Sequence, residues 1–378
     1  MNQFIKNAVP GVQALHPYQP GKPVETLERE LGISNAIKLA SNENPLGPST
    51  HAMKAAQSVI ADINYYPDGA GHKLCSALAE KHHVDTGCIT LGNGSNDILE
   101  LIGRAFLSAG SSAVYSQYSF AVYPLVVQAT GAQARVARAF PANHSAQPYG
   151  HDLEAIAQLI DQSTRVVFIA NPNNPTGTWF TPAELDGFLS KVDSNVVVVL
   201  DEAYYEYMPD ELKPDSRTLL QQYKNLVITR TFSKIYGLAG LRIGYSVSHA
   251  DIADILNRVR QPFNTNMPAQ AAALAAIDDQ AHVQSSVQLN TQGLKQYAKA
   301  FDQSGLEYIP SIANFIAVDL KRQAMPVYEK LLRKGVIVRP VASYNMPEHL
   351  RITIGTQAQN TRVLKALEQI LKDEATDD

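Results

Sequence analysis

Two uninterrupted apolar runs, Val166–Ile169 and Val196–Leu200, each lead straight into a polar turn, and this constrains the fold more than any other feature. A strand with no polar face must be covered on both sides, which is the condition of a largely parallel α/β sheet. Between residues 88 and 245 the same alternation recurs, with further candidate strands at Cys88–Leu91, Ala113–Ser116, Ala134–Ala137, Leu226–Thr229 and Ile243–Val247. Helices are predicted between them. Thr181-Pro182-Ala183-Glu184 is a capping box with proline at the first helical position. Asp152 caps a helix through Ile160, Ser95, Asn96 and Asp97 open one that continues through Leu107, and Pro268–Ile277 is Ala-rich and helical.

The chain has 378 residues, more than one hydrophobic core usually serves. Beyond about residue 280 the pattern changes. A long helix (about 282–303) precedes a strand at Asn314–Asp319, a helix near 325–334, short strands at Val336–Arg339 and Leu350–Ile354, and a closing helix. The expected organisation is a large α/β domain over 45–275 and a smaller α+β domain from 276–378, onto which residues 1–44 return.

The formal net charge of -4 comes with no basic run, so a nucleic-acid partner is not expected. No apolar stretch approaches the roughly 20 residues of a membrane span. The N-terminus, broken by Pro10 and Gly11, does not read as a signal peptide. Cys75 and Cys88 have no ligand or disulfide spacing and read as packing residues, so a cytosolic setting is expected and no metal site.

The strongest chemical signal is Thr231-Phe232-Ser233-Lys234, followed by Arg242 in Gly240-Leu241-Arg242-Ile243-Gly244. It sits at the end of a strand, where α/β sheets place ligands. Hydroxyls and a guanidinium there suit a phosphate. A lysine among cations in a tight site loses basicity and becomes a nucleophile toward an aldehyde. Asn174 lies in the rigid turn Asn171-Pro172-Asn173-Asn174-Pro175-Thr176-Gly177 and offers its amide to a ring substituent. Asp201 ends the Val196–Leu200 strand, where a carboxylate is costly unless paired. A protonated ring nitrogen would pair it, with Tyr204 reaching the same ring; a helix N-cap is the alternative.

The set Asn174, Asp201, Tyr204, Lys234 and Arg242, with separations of 27 and 33 residues between 174, 201 and 234, resembles the fold-type I, class I/II aminotransferases. The resemblance implies pyridoxal 5′-phosphate held as a Schiff base by Lys234. Asp201 would face the pyridine nitrogen, Asn174 and Tyr204 the ring oxygen, and Thr231, Ser233 and Arg242 the phosphate. Gly92-Asn93-Gly94-Ser95-Asn96 is a glycine-rich turn feeding a helix, a geometry that binds anions, and it resembles the family's phosphate cup, with Ser95 and Asn96 as donors. Phe120 matches the aromatic that stacks on the ring, although it also reads as a core residue. Tyr66, with Tyr65 as rival, resembles the tyrosine that reaches a neighbouring subunit's phosphate, which implies a homodimer with a shared active site.

The finer resemblance, over essentially the whole chain, is to histidinol-phosphate aminotransferases. It rests on Pro17-Tyr18-Gln19-Pro20-Gly21-Lys22-Pro23, Ser41-Asn42-Glu43-Asn44-Pro45-Leu46-Gly47-Pro48 and Gly335-Val336-Ile337-Val338-Arg339-Pro340. It implies that Tyr18, Asn44, Arg339 and Arg351 bind substrate. Two arginines suit a dianionic phosphate better than one carboxylate. The expected reaction takes L-histidinol phosphate and 2-oxoglutarate to imidazole-acetol phosphate and glutamate. Aromatic amino acid transamination and threonine-phosphate decarboxylation are the alternatives, because one cofactor cradle serves several reactions. A regulatory role on the same scaffold would call for a DNA-binding segment, and none is seen.

Overall fold

A computed structural model describes residues 2–17 and 21–377. Its strands are β1 (Ile37–Lys38), β2 (Ile89–Gly92), β3 (Ser112–Ser116), β4 (Gln133–Ala137), β5 (Thr164–Ala170), β6 (Val197–Asp201), β7 (Leu226–Thr231), β8 (Gly244–Ser248), β9 (Glu307–Ile309), β10 (Phe315–Asp319), β11 (Val336–Ile337), β12 (Arg339–Pro340) and β13 (His349–Thr353).

Seven of these form one sheet in the order β2-β8-β7-β6-β5-β3-β4. Strand β8 runs antiparallel to β2 and β7, and the remaining pairs are parallel. The two apolar runs are central strands β5 and β6, and their residues alternate between two cores. Val166, Phe168, Val197 and Val199 pack with Ile98, Ile102, Tyr123 and Val126 from helices Ser95–Phe106 and Val122–Thr130. Val167, Ile169, Val198 and Leu200 pack with Ile156, Leu185 and Phe188 from helices Leu153–Gln158 and Pro182–Leu189. Each of these strand side chains, fully buried, stabilises the fold by roughly 1.5–3 kcal/mol. The capping box at Thr181 forms as expected, its hydroxyl accepting from Glu184 N and its N–H donating to the Glu184 carboxylate.

Beyond β8 a four-stranded antiparallel sheet, β12-β13-β10-β9, is covered by helices Gln280–Ser304, Ala324–Arg333 and Gln357–Asp377. The N-terminal segment returns to this region: β1 pairs in parallel with β11, and Leu39 joins the core there. Two details differ from the sequence reading. The single strand expected at Val336–Arg339 divides, with β11 pairing to β1 and β12 to β13. Strand β9 was not expected; it is a three-residue edge strand with only Ile309 buried, too short to carry a period.

The topology fixes where a ligand can sit. From β3 the chain moves outward to β4, then re-enters on the other side of β3 as β5 and continues through β6 and β7. This reversal opens a crevice at the strands' carboxyl ends. The turns after β2, β3, β5, β6 and β7 all converge there.

Candidate active site

A cavity of about 260 Å³ occupies that crevice, lined by Ser95, Asn96, Phe120, Asn174, Asp201, Tyr204, Thr231, Ser233, Lys234, Arg242, Arg339 and Arg351, among others. Residues far apart in the chain thus meet because each follows the carboxyl end of a strand or faces it from the smaller sheet.

Asp201, the last residue of β6, is buried. Its carboxylate accepts from Tyr123 Oη at 2.9 Å and from Thr229 Oγ1 at 3.3 Å. Burial pushes its pKa up, against these two hydrogen bonds and the nearby Lys234, which favour the charged form. The chain after Asp201 turns rather than starting an α-helix, so the N-cap alternative falls. Tyr204 Oη accepts from Asn42 Nδ2 at 2.8 Å, and burial pushes the phenol up to about 12, keeping it a neutral donor.

Lys234 Nζ donates to the carbonyl of Ser41 at 2.9 Å. Burial, then the Arg351 guanidinium, lower its pKa to about 8; Arg242 and Lys38 act the same way and Glu43 opposes them. A lysine so shifted is partly neutral at physiological pH and therefore nucleophilic.

The anion end is built from three segments. Gly94 sits at φ 81°, ψ 166° before helix Ser95–Phe106, a region essentially confined to glycine. A Cβ there would collide with the Arg242 guanidinium. Arg242 in turn donates to Ser233 Oγ at 3.2 Å and to the Ala239 carbonyl at 3.0 Å, and Thr231 Oγ1 accepts from Ser233 N at 3.1 Å. Hydroxyls, a guanidinium and a helix N-terminus converge on one point.

On the opposite wall Arg351 of β13 donates to Asn174 Oδ1 at 2.5 Å and to the Ala40 carbonyl at 2.6 Å. Asn173 anchors the Asn174 turn through Tyr118 O at 2.7 Å and Thr176 Oγ1 at 2.8 Å. Arg339 faces Arg351 across the β12–β13 pair.

The donor set fits pyridoxal 5′-phosphate: a phosphate cup at one end, a buried carboxylate for the ring nitrogen, the Phe120 ring beside it, donors for the ring oxygen, and a lowered lysine for the aldehyde. Among the described residues no cluster of His, Cys, Asp or Glu is arranged to hold a metal.

Three expectations stand differently. Asn44 is outside the cavity; its amide is spent on the Ile235 carbonyl at 2.7 Å and Ser286 Oγ at 2.9 Å, where it braces the loop after Lys234 rather than meeting a substrate. Tyr66 and Tyr65 are exposed, and Tyr66 stacks on Phe263 with ring centroids 4.6 Å apart, so neither lines the cavity of its own chain. Tyr18 lies outside the described residues. The sequence reading missed Asn42, which holds the Tyr204 hydroxyl, and Tyr123, which holds Asp201. The left-handed conformation of Asn42 (φ 57°) and the position of Tyr123 three residues after Phe120 gave no sequence signal of either role.

The family model for aminotransferase class I and II matches residues 34–367. The chain is 56% identical over 370 residues to histidinol-phosphate aminotransferase 2 of Pseudomonas fluorescens, covering 97% of this chain and 98% of the relative. It is 54% identical over 373 residues to histidinol-phosphate aminotransferase 2 of Pseudomonas aeruginosa, covering 98% and 99%. The crystal structure of histidinol-phosphate aminotransferase from Sinorhizobium meliloti in complex with pyridoxal 5′-phosphate aligns with TM-score 0.87 at 28% identity, over 96% of this chain and 97% of that one. The chain belongs to the class I and II aminotransferases and has their fold-type I architecture.

Proposed function

We propose that this chain is a pyridoxal 5′-phosphate-dependent transaminase that passes the amino group of L-histidinol phosphate to 2-oxoglutarate, giving imidazole-acetol phosphate and glutamate. The observation that carries the substrate reading is the pair Arg339 and Arg351, opposed across β12 and β13 and both lining the cavity. Two guanidiniums match a phosphate dianion on the substrate. The names of the most similar relatives support the same reading.

When bound, the cofactor supplies an aldehyde that captures amines and a ring that withdraws electrons from the substrate's Cα. This chain's residues do the rest. Lys234 Nζ would hold the aldehyde carbon and, once displaced by the substrate amine, would hold and move the Cα proton. Asp201, held by Tyr123 and Thr229, would keep the ring nitrogen protonated. Tyr204, fixed by Asn42, and Asn174, fixed by Arg351, face the ring oxygen. Release of the keto product before 2-oxoglutarate binds gives ping-pong kinetics.

A homodimer belongs to the same reading. Met53, Ile60, Ile63, Tyr65, Tyr66 and Phe263 are exposed apolar or aromatic side chains, and such a set on a water-soluble chain suits an interface. Tyr66 would then reach the phosphate cup of the second copy.

The test is a single-turnover half-reaction, following loss of the lysine-bound cofactor's absorbance with histidinol phosphate and, separately, with phenylalanine. Much faster loss with histidinol phosphate is expected. Equal or faster loss with phenylalanine would move the chain to the aromatic aminotransferases and leave the cofactor reading intact.

A further inference from the structure

Directly behind Asp201, on the other face of the sheet, lies a buried ion pair that the chemistry above does not use. Glu202 is fully buried and Arg230 nearly so. Arg230 Nε donates to Glu202 Oε2 at 2.9 Å, and Nη2 lies 2.7 Å from the same oxygen in the ion pair. Arg230 Nη2 donates to Ser216 Oγ at 3.0 Å, and the guanidinium lies 3.6 Å from the centroid of the Tyr205 ring. Glu202 Oε1 has no hydrogen-bond partner among the described residues.

The placement is what matters. Asp201 and Thr229 are the last Cα partners of the β6–β7 ladder, and the Glu202 amide still donates to the Thr229 carbonyl at 2.9 Å. Beyond that rung β6 ends, while β7 continues to Thr231 and carries Lys234 three residues later. Successive side chains point to opposite faces. Two consecutive residues of β7 therefore grip the last residue of β6 and the one after it: Thr229 holds Asp201, and Arg230 holds Glu202. A buried ion pair is a weak device for stability, since apolar residues of similar volume often do as well or better. Its use at the rung where the ladder stops points to geometry.

We propose that Glu202 and Arg230 are a positioning pair, clamping the carboxyl end of β6 against β7 so that Asp201 and Lys234 keep their spacing across the cofactor cavity. The proposal rests on the cofactor roles given to those two residues. The titratable groups around Arg230 include Glu202, Glu206, Tyr205, Tyr236, Tyr245, Lys81 and His82, and none of them lines the cavity, so the pair acts through the strands.

The test removes both charges together, because removing one strands the other in the interior. In the Glu202→Gln/Arg230→Met holoenzyme, kcat for the first half-reaction should fall on the order of 10- to 100-fold, as misplacement of catalytic groups does. KM for the amino donor should stay within about threefold, because no binding contact is lost. Two further readouts separate positioning from plain support. The pH at which the lysine-bound cofactor absorbance titrates should shift, and the backbone amide at position 202, which in the wild type donates to the Thr229 carbonyl, should exchange faster in the cofactor-free protein. A lowered melting temperature with kcat, titration and exchange all unchanged would overturn the proposal. If the double variant does not fold, Glu202→Asp shortens the clamp with its charge intact, and the same changes, smaller in size, are expected; their absence overturns it equally. A wild-type protein that shows no lysine-bound absorbance would instead overturn the cofactor reading itself.

Discussion

Arg339 on β12 and Arg351 on β13 are Cα partners in an antiparallel pair, and both reach the cavity. Like charges directly opposed across strands repel, and an anion between them offsets that repulsion. The two are not equivalent: Arg351 is buried and donates to Asn174 and Ala40, whereas Arg339 is half-buried. Arg339→Gln should therefore spare the cofactor contacts and weaken the phosphorylated donor. A charge-assisted hydrogen bond contributes about 1.5–3 kcal/mol, so KM for histidinol phosphate should rise roughly 10- to 100-fold with kcat little changed, and more than KM for glutamate. Arg351→Gln should impair both half-reactions. Steady-state kinetics on the two variants check this, and equal effects of Arg339→Gln on both donors would count against the phosphate reading.

Lys234 titrates near 8 in the folded chain because it is buried beside Arg351. Its capture of the cofactor aldehyde by the cofactor-free protein should accelerate as pH rises through about 8, since only the neutral amine attacks. The stability linkage has a definite sign. The folded pKa lies below the ordinary 10.5, so between about 8 and 10.5 the unfolded chain binds more protons. This residue's contribution to stability therefore rises with pH across that window. Lys234→Ala should remove the pH step, the lysine-bound absorbance and turnover together. Stopped-flow mixing of cofactor with the apoprotein from pH 6.5 to 9.5 measures the step.

Asp201→Asn keeps a side chain that Tyr123 and Thr229 can still hold, so the fold should survive. It cannot stabilise a protonated ring nitrogen. Loss of such a preorganised charge lowers kcat by on the order of 10²–10³-fold. Turnover near that of the wild type would show that the ring nitrogen is held otherwise.

Gly94→Ala places a methyl against the Arg242 guanidinium and a non-glycine residue at φ 81°. Backbone strain of that kind costs about 1–3 kcal/mol, and the displaced guanidinium no longer meets the phosphate. Cofactor affinity should drop at least roughly tenfold, read by titrating the apoprotein with pyridoxal phosphate. An unchanged affinity would place the phosphate elsewhere.

Tyr66 is exposed on its own chain, and in the proposed homodimer its role would depend on the second copy. Tyr66→Ala and Lys234→Ala proteins should each be weak or inactive alone. Mixing and reassembly should restore activity, because one of the two sites in a mixed dimer carries neither defect. No recovery despite verified mixed dimers would assign Tyr66 to its own chain's surface.

The sequence by itself determined the central sheet and most of the residues that line its cavity. Uninterrupted apolar runs have no alternative to burial on both faces, and a charged or amide residue just past such a run must lie at a strand's carboxyl end. Asn174, Asp201 and Lys234 were legible on that ground, as was the capping box at Thr181. Tertiary structure decided what period and spacing do not encode. Asn42, from the N-terminal segment, holds Tyr204 of the central sheet, and Asn44, two residues on, turns away into Ile235 and Ser286. The left-handed backbone at Asn42 sends the two amides to different places, and nothing in Ser41-Asn42-Glu43-Asn44 announces it. The opposition of Arg339 to Arg351, and the grip of Arg230 on Glu202, likewise come from strand register. Register is set by long-range pairing and packing, which a local pattern cannot carry.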